Sequence, residues 1–377
     1  MPEPATANTG ETIFDADLVQ RYDRPDPRYT SYPTAVQFHA GYGIAAYEAA
    51  ARASNARGGG RPRPLSLYVH VPFCQNPCFY CGCNKVITRD HAQAERYLER
   101  LNREIALQGA LYDRGRLVVQ LHFGGGTPTF LSLAQIGALL AELARHFSLR
   151  RDRDREYSIE IDPRTLELVT GARPDRIAAY SYAHLPHVFK PQRQIRSADL
   201  ASQAEKLGLL GLTVERLTAA GYVYVGMDHF ALPGDELVRA QRDGTLQRNF
   251  QGYSTRAECD LVGLGVSSIG RLAVERGVAL SVDDRVRRDV IQRLMCATRL
   301  DFAAIEAAHG VHFEEYFGAE LASLGPLLTD GLSERGARSL AITSRGRLLL
   351  RNVAMVFDAH LPRLAPPAGA PHFSRAV

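Results

Sequence analysis

The residues best suited to chemistry lie in one short stretch, CQNPCFYCGC, which places Cys74, Cys78, Cys81 and Cys83 within ten positions. Cys74, Cys78 and Cys81 have the spacing C-x3-C-x2-C. A loop of that length wraps a cubane iron–sulfur cluster so that three irons each take one thiolate. The fourth iron then has no protein ligand, and S-adenosylmethionine can chelate it through its amino and carboxylate groups. One electron from the cluster would break the sulfonium bond and give a 5′-deoxyadenosyl radical that abstracts hydrogen. Structural zinc is the alternative, but it asks for four ligands, usually in two pairs, and no second pair with that spacing follows. Cys83 reads as a non-ligand, because two alternate residues of a tight loop seldom reach one cluster. Cys259 and Cys296 are isolated and read as small buried thiols.

Two further features could serve the same chemistry. Gly124-Gly125-Gly126-Thr127-Pro128 ends a strand-like run, LVVQLHF, where bare backbone can approach a ligand above a parallel sheet. Glu160, in YSIEIDP, stands near the end of the next such run. A carboxylate there binds an adenosylmethionine ribose or amino group, or serves a salt bridge or a helix cap; spacing alone leaves these open.

The elements that must position these residues follow from periodicity. LSLYVHV (65–71) alternates as a strand and runs into the cysteine loop. Residues 93–111 carry apolar side chains at helical spacing, 117–123 form a strand, a helix runs from the N-cap Ser132 to 147, and 157–163 form a third strand. Strand, helix, strand, helix, strand predicts an α/β sheet or barrel. Residues 1–60 read as an irregular arm containing PRYTSYPT, and RRDRDRE (150–156) as a solvated loop. Further on, 177–186 reads as β-like, 198–220 as helical, 221–231 as one strand and 260–270 as a buried strand. From Val282 a mostly helical domain, possible as a winged helix, completes the chain.

With 377 residues the chain can bury a sizeable core. Its formal charge of +4 points to no nucleic-acid partner, and only three of its 45 basic residues are lysine. The first residues contain neither a basic n-region nor an apolar h-region, and no run approaches the ~20 apolar residues of a membrane span. The expectation is a cytoplasmic monomer without membrane or nucleic-acid partners, in a compartment where clustered cysteines bind metal rather than pair.

LYVHVPFCQNPCFYCGCNK, LHFGGGTPTFL, SIEIDPR, YSYAHLP, GYVYVGMDHFALPGDEL, RNFQGYSTRAECDLVGLGVSSI and RRDVIQRLMC, with PRYTSYPT ahead of them, together resemble the oxygen-independent coproporphyrinogen III oxidases, radical SAM enzymes of haem biosynthesis. The resemblance runs in order from about Arg28 to Phe357. Haem-chaperone-like relatives usually carry Phe in place of Cys83 and lack CGCNK and MDHFA. The resemblance implies a partial (β/α) barrel over 61–280, after an N-terminal arm of 1–60 and before a helical, winged-helix-like domain of 281–377. It implies a [4Fe-4S] cluster on Cys74, Cys78 and Cys81, with Tyr68, Tyr80, Gly125, Gly126, Thr127, Glu160, Ala183 and Ile269 around adenosylmethionine. Tyr68, Glu160 and Arg28 are the implied catalytic group, Arg28 as partner of a substrate carboxylate. The implied reaction converts two propionates of coproporphyrinogen III to vinyl groups, giving protoporphyrinogen IX and consuming one adenosylmethionine per propionate. A reductase or flavodoxin-type protein would supply the electrons.

The chain departs from the family pattern in two places. RTLELVTGARPDR, near 164–176, replaces at least two βα units, roughly sixty residues at ~30 per unit. A shorter loss falls near 270–275. The barrel is therefore expected to be truncated, at the cost of unpaired strand edges. The competing function is a catalytically impaired or non-catalytic porphyrin- or haem-binding protein, with His70, His122, His184 or His229 as iron ligands.

Overall fold

The computed structural model describes residues 12–23, 27–56, 63–75, 84–152, 154–160, 175–178, 184, 186, 190–249, 252–256, 259–266 and 277–361. The chain divides into two compact units. One comprises Phe38–Arg173 and Glu258–Val278, the other Met1–Gln37, Pro174–Ala257 and Ala279–Val377.

The first unit is built on a parallel sheet, as the alternation of strands and helices predicts. Its strands are β1 (Leu65–Val71), β2 (Leu117–Gly125), β3 (Glu156–Ile159) and β4 (Asp260–Leu264), in the order β4-β1-β2-β3. Every pairing among them is parallel, and a two-residue strand, Ser148–Leu149, pairs with the start of β2. Leu65, Leu67, Val69 and Val71 share one face of β1 and are all buried, and Ser66 and His70 of the opposite face are buried too, so the strand is covered on both faces. Helix α1 (Ala92–Gly109) turns Ala94, Leu101 and Ile105 inward, and α2 (Leu133–His146) turns in Leu139 and Leu143. Full burial of each such leucine or isoleucine contributes about 1.5–3 kcal/mol. The predicted cap at Ser132 is a full capping box with Gln135.

A buried arginine locks the lower ends of the strands. Arg116, 1% exposed, precedes β2 and forms an ion pair with Asp260, the first residue of β4, on the far side of β1. Its Nη1 donates to Ser54 Oγ at 2.7 Å and its Nε to the Arg63 carbonyl at 2.7 Å. The upper, carboxyl ends of the strands are left to carry the site.

In the second unit, helix Val282–Ala297 is capped by a Ser281–Asp284 box and buries Val286, Val290, Ile291 and Leu294. Short helices and a three-stranded antiparallel sheet, with Ser339–Ile342 between Arg299–Asp301 and Ser333–Arg335, follow it. Two local expectations are corrected. The segment read as one strand, 221–231, is a hairpin of Val223–Gly226 and His229–Ala231. It turns through Gly226 (φ 152) and Met227 (φ 55), backbone that an unbroken strand does not use. The opening segment read as irregular holds two helices, Ala16–Tyr22, capped by Asp15, and Ile44–Ser54.

Of the segment read as β-like from Ile177, residues Arg176–Ala178 form a strand antiparallel to His229–Ala231, outside the parallel sheet. Among the described residues β3 pairs with β2 alone. Of the two places where the chain is shorter than the family pattern, 164–174 of the first and all of 270–275 fall outside the described residues. Among the described residues, no helix is long and apolar enough to cross a membrane.

Candidate functional site

Register brings the polar residues of three strands into line. Tyr68 of β1 pairs with His122 of β2, and His122 with Ser158 of β3. Because residues opposite one another in a sheet share a face, the three side chains form one row. The Tyr68 and His122 rings stack at 5.7 Å with 17° between their planes. Ser158 Oγ lies 2.7 Å from His122 Nδ1. One step up the strands, Gly124 stands opposite His70, and the Glu160 N–H donates to the Phe123 carbonyl at 2.9 Å.

Glu160 is held at both oxygens. Its Oε1 lies 3.2 Å from His122 Nε2, and its Oε2 accepts the Gly125 N–H at 3.1 Å. Gly124 makes the approach possible: a Cβ there would sit 2.9 Å from Glu160 Oε1 and 3.0 Å from the Tyr68 hydroxyl. At Gly125, φ is 117° and a Cβ would stand 2.8–2.9 Å from the His70 ring, so glycine is required on both steric and conformational grounds. The Glu160 side chain remains 50% exposed. Its second lone pairs are therefore open to a polar ligand.

His70 is 5% exposed. Its Nε2 lies 3.0 Å from the Asn84 carbonyl, which can only accept, so Nε2 carries the proton and Nδ1 accepts from the Tyr68 hydroxyl at 3.3 Å. Burial lowers the imidazole pKa, and the Asn84 carbonyl offsets this only in part. Both nitrogens of His70 and of His122 have protein partners. His229 Nδ1 is likewise held, 2.6 Å from Asp228 Oδ1. These contacts argue against using His70 or His122 as haem ligands.

Beyond the level of Glu160 the strand ends meet the start of the cysteine loop. Cys74 is 9% exposed and takes part in no disulfide; Thr127 Oγ1 lies 3.6 Å from its sulfur. Gly126 N–H donates to Val71 O and Thr127 N–H to Phe73 O, each at 2.8 Å. A Cβ on Gly126 would lie 2.8 Å from Phe73 O and 2.9 Å from Cys74 Sγ, so the backbone is bare where the loop begins. Phe73 is fixed between Phe130 (5.2 Å, stacked) and Tyr97 (5.5 Å, edge-on). This buried thiol, flanked by a hydroxyl and a glycine floor and followed by a half-open carboxylate, suits a thiolate-held cluster and a ligand bearing a cationic group.

Helix α1 supports the same strand ends from the side. The Tyr97 hydroxyl donates to the His70 carbonyl at 2.7 Å and accepts the Val266 N–H at 3.3 Å. Glu104 accepts the Gly265 N–H at 3.1 Å, and its burial raises its pKa. Gly265 (φ 90) thus leaves β4 in a conformation that two α1 side chains hold.

Of the residues implied by resemblance, Tyr68, Cys74, Gly125, Gly126, Thr127 and Glu160 converge on this strand-end site. Cys78, Tyr80, Cys81, Cys83, Ala183 and Ile269 lie outside the described residues. Arg28 belongs to the other compact unit, where its guanidinium pairs with Asp228 and its carbonyl accepts from Arg248 Nε at 3.2 Å. Sequence reasoning read Gly124 only as part of the glycine run, passed over Ser158, and considered His70 and His122 only as iron ligands. The available signal was polar or glycine residues at every second position of otherwise apolar strands.

Comparison with known proteins identifies the family. Residues 280–349 match the family model for the HemN C-terminal domain. The chain is 42% identical to the oxygen-independent coproporphyrinogen III oxidase of Pseudomonas aeruginosa, across 97% of the chain and 99% of that relative. It is 38% identical to the enzyme of the same name from Escherichia coli strain K12, across 97% and 98%. It is also similar to a solved structure of coproporphyrinogen III oxidase (HemN) from Escherichia coli, described as a radical SAM enzyme. There the TM-score is 0.84 and the identity 36%, covering 93% of this chain and 100% of that one. The Pseudomonas alignment runs over 462 positions against 377 residues here, so at least 85 positions are filled by the relative alone. Because the match reaches nearly the full length of both chains, most of that shortfall is internal, as the motif spacing predicts. The chain belongs to the family of oxygen-independent coproporphyrinogen III oxidases, and membership of that radical SAM family implies a [4Fe-4S] cluster and S-adenosylmethionine.

Proposed function

We propose that this chain carries out the oxygen-independent oxidative decarboxylation of coproporphyrinogen III to protoporphyrinogen IX. Cys74, Cys78 and Cys81 would hold the [4Fe-4S] cluster, leaving Cys83 out of its ligand set. Bound together, cluster and S-adenosylmethionine supply a one-electron cleavage that yields a 5′-deoxyadenosyl radical able to abstract hydrogen. In the net change each of two propionates loses a hydrogen atom, an electron and carbon dioxide and becomes a vinyl group, and the two-electron oxidation is balanced by cleavage of one S-adenosylmethionine to methionine and 5′-deoxyadenosine.

The chain's own residues bind and orient. The bare backbone at Gly125 and Gly126 admits the cofactor against the strand ends, and Thr127 lies beside Cys74. Glu160, fixed at both oxygens yet half exposed, offers its remaining lone pairs to the ribose or amino group of adenosylmethionine. Tyr68, stacked on the His122 that holds that carboxylate, would line the cofactor, and the resemblance adds Tyr80, Ala183 and Ile269 to the same role. Arg28, whose side chain is 42% exposed, offers a guanidinium to a substrate carboxylate, a pairing whose fork geometry favours two parallel hydrogen bonds. We read the electron donor as a reductase or flavodoxin-type protein, and the enzyme as a cytoplasmic monomer without nucleic-acid or membrane partners.

The observation that carries this reading is the pairing of a buried thiol with a glycine that has no room for a Cβ, one strand from a carboxylate presented to solvent. Anaerobic reconstitution followed by assay for 5′-deoxyadenosine and protoporphyrinogen tests it. The reading expects a brown protein that forms both products. A protein that takes up a cluster but cleaves no adenosylmethionine would refute it, and a colourless protein loaded with zinc would refute the cluster assignment.

A further inference from the structure

The polar row on the sheet assigns work to a residue outside the implied cofactor set. We propose that His122 is a positioning residue for Glu160: its Nε2–H holds the carboxylate toward adenosylmethionine, and Ser158 and Tyr68 hold the imidazole. The inference rests on Glu160 being a cofactor contact.

Three observations converge on it. Glu160 Oε1 is a carboxylate oxygen, so His122 Nε2, 3.2 Å away, must donate to it. With Nε2 donating, Nδ1 can accept, and the Ser158 hydroxyl at 2.7 Å is placed to donate to it. The Tyr68 ring, stacked on the imidazole at 5.7 Å, resists its rotation about the strand. The tautomer and the plane of the ring are therefore both set by neighbours in register, Tyr68↔His122↔Ser158.

The arrangement matters because Glu160 is half exposed. A glutamate in that position has several rotamers of similar energy unless something selects one. The Gly125 N–H fixes one oxygen, and only with His122 on the other is the plane of the carboxylate defined. Gly124 leaves no side chain to do the same by packing. An aromatic residue at 122 would preserve the stack on Tyr68 but provide no donor.

The test compares His122→Phe with His122→Gln. The first keeps a flat ring against Tyr68, and the second keeps an N–H near the position of Nε2. Equilibrium binding of S-adenosylmethionine to the anaerobically reconstituted proteins is the primary readout, with KM and kcat beside it. The expected result is about 10-fold weaker binding for His122→Phe, the scale of one lost charge-assisted hydrogen bond, with KM carrying more of the change than kcat. His122→Gln should recover to within about 3-fold of the parent, the remainder being the lost stack on Tyr68. Undiminished binding in His122→Phe, or equal weakness in both variants, would overturn the proposal, the first outcome indicating a role for the flat ring alone. Ser158→Ala leaves the fold's apolar contacts untouched and should weaken binding about 3-fold; no effect there would remove the serine from the proposal even if His122→Phe failed to fold. Glu160→Gln separates the two levels. If it leaves adenosylmethionine affinity unchanged, the cofactor role of Glu160 itself fails; if it weakens binding while His122→Phe does not, only the positioning role fails.

Discussion

Two carboxylates in this protein, Glu160 at the end of β3 and Asp228 in the hairpin turn of the other unit, each lie against a histidine, and they end in opposite states. Asp228 has a side chain only 9% exposed, with one oxygen on Arg28 and the other 2.6 Å from His229 Nδ1. Burial alone would raise its pKa, but the His229 hydrogen bond and the charges of Arg28, His229 and Arg248 outweigh that and hold the carboxyl well below its usual range. Glu160 has a histidine and one backbone N–H, and half its side chain faces solvent. The first carboxylate is consumed by the fold and the second is presented by it. A carboxylate beside a histidine is thus no evidence of a site by itself; what its oxygens have left to accept decides the matter.

The contrast can be broken most forcefully at Asp228. Asp228→Ala leaves His229 and the partly exposed Arg28 without their shared acceptor, and should lower the stability of its unit by roughly 2–3 kcal/mol, measured by urea denaturation. Equal stability of this variant and the parent would show that Asp228 is no more consumed than Glu160.

Gly126→Ala comes next. The new Cβ would crowd Cys74 Sγ at 2.9 Å and Phe73 O at 2.8 Å, and the second is a backbone atom that cannot give way without moving the loop. We expect a loss of about 1–3 kcal/mol together with reduced iron incorporation. Iron loading equal to the parent's would show that the floor has slack.

A pH series sharpens the comparison with a smaller effect. The folded pKa of Asp228 lies below its ordinary value of 3.8, so the unfolded chain binds more protons there. The stability from this group is complete above about pH 4 and is lost as pH falls through the lower, folded value. Glu104 shows the reverse sign: burial raises its pKa above the ordinary 4.5, so its contribution is complete below that value and is lost as pH rises through the folded one. Asp228→Asn should flatten the acid limb and Glu104→Gln the limb above pH 4.5, both followed by thermal unfolding. Exchange of these two effects would contradict the assigned shifts.

The smallest effect is expected on the stability of Glu160→Gln, within about 0.5 kcal/mol of the parent, because half of the side chain faces solvent and water can take up the hydrogen bond that the amide loses. A large destabilisation would place Glu160 with Asp228, as a carboxylate spent on the fold.

The difference between these regions also explains which parts of the molecule were legible in the sequence. The cysteine loop and the glycine run are constrained by short spacing, so Cys74, Gly125, Gly126 and Thr127 could be placed from neighbours in the chain. Glu160 could be placed because the third strand ends beside it. Its partner could not, since His122 and Ser158 are 36 residues apart and meet only when β2 and β3 pair in one register; shifting that register by one would turn Ser158 to the other face. The hairpin turn at Met227 was likewise missed, because nothing in GYVYVGMDHFA marks the one non-glycine residue that takes a positive φ. Helix Ala16–Tyr22 did carry a local signal, the Asp15 cap bonded to the Leu18 N–H, which the surrounding prolines obscured.

The central claim is that the chain, though shorter than its relatives, keeps a cluster loop with one iron open beside a carboxylate presented to adenosylmethionine. Electron paramagnetic resonance of the reduced, anaerobically reconstituted protein tests it most directly, recorded with and without S-adenosylmethionine. The account predicts a [4Fe-4S] signal whose g-values and line shape change when adenosylmethionine is added, and a weaker response at equal concentration in Glu160→Gln. A cluster signal indifferent to adenosylmethionine would contradict it.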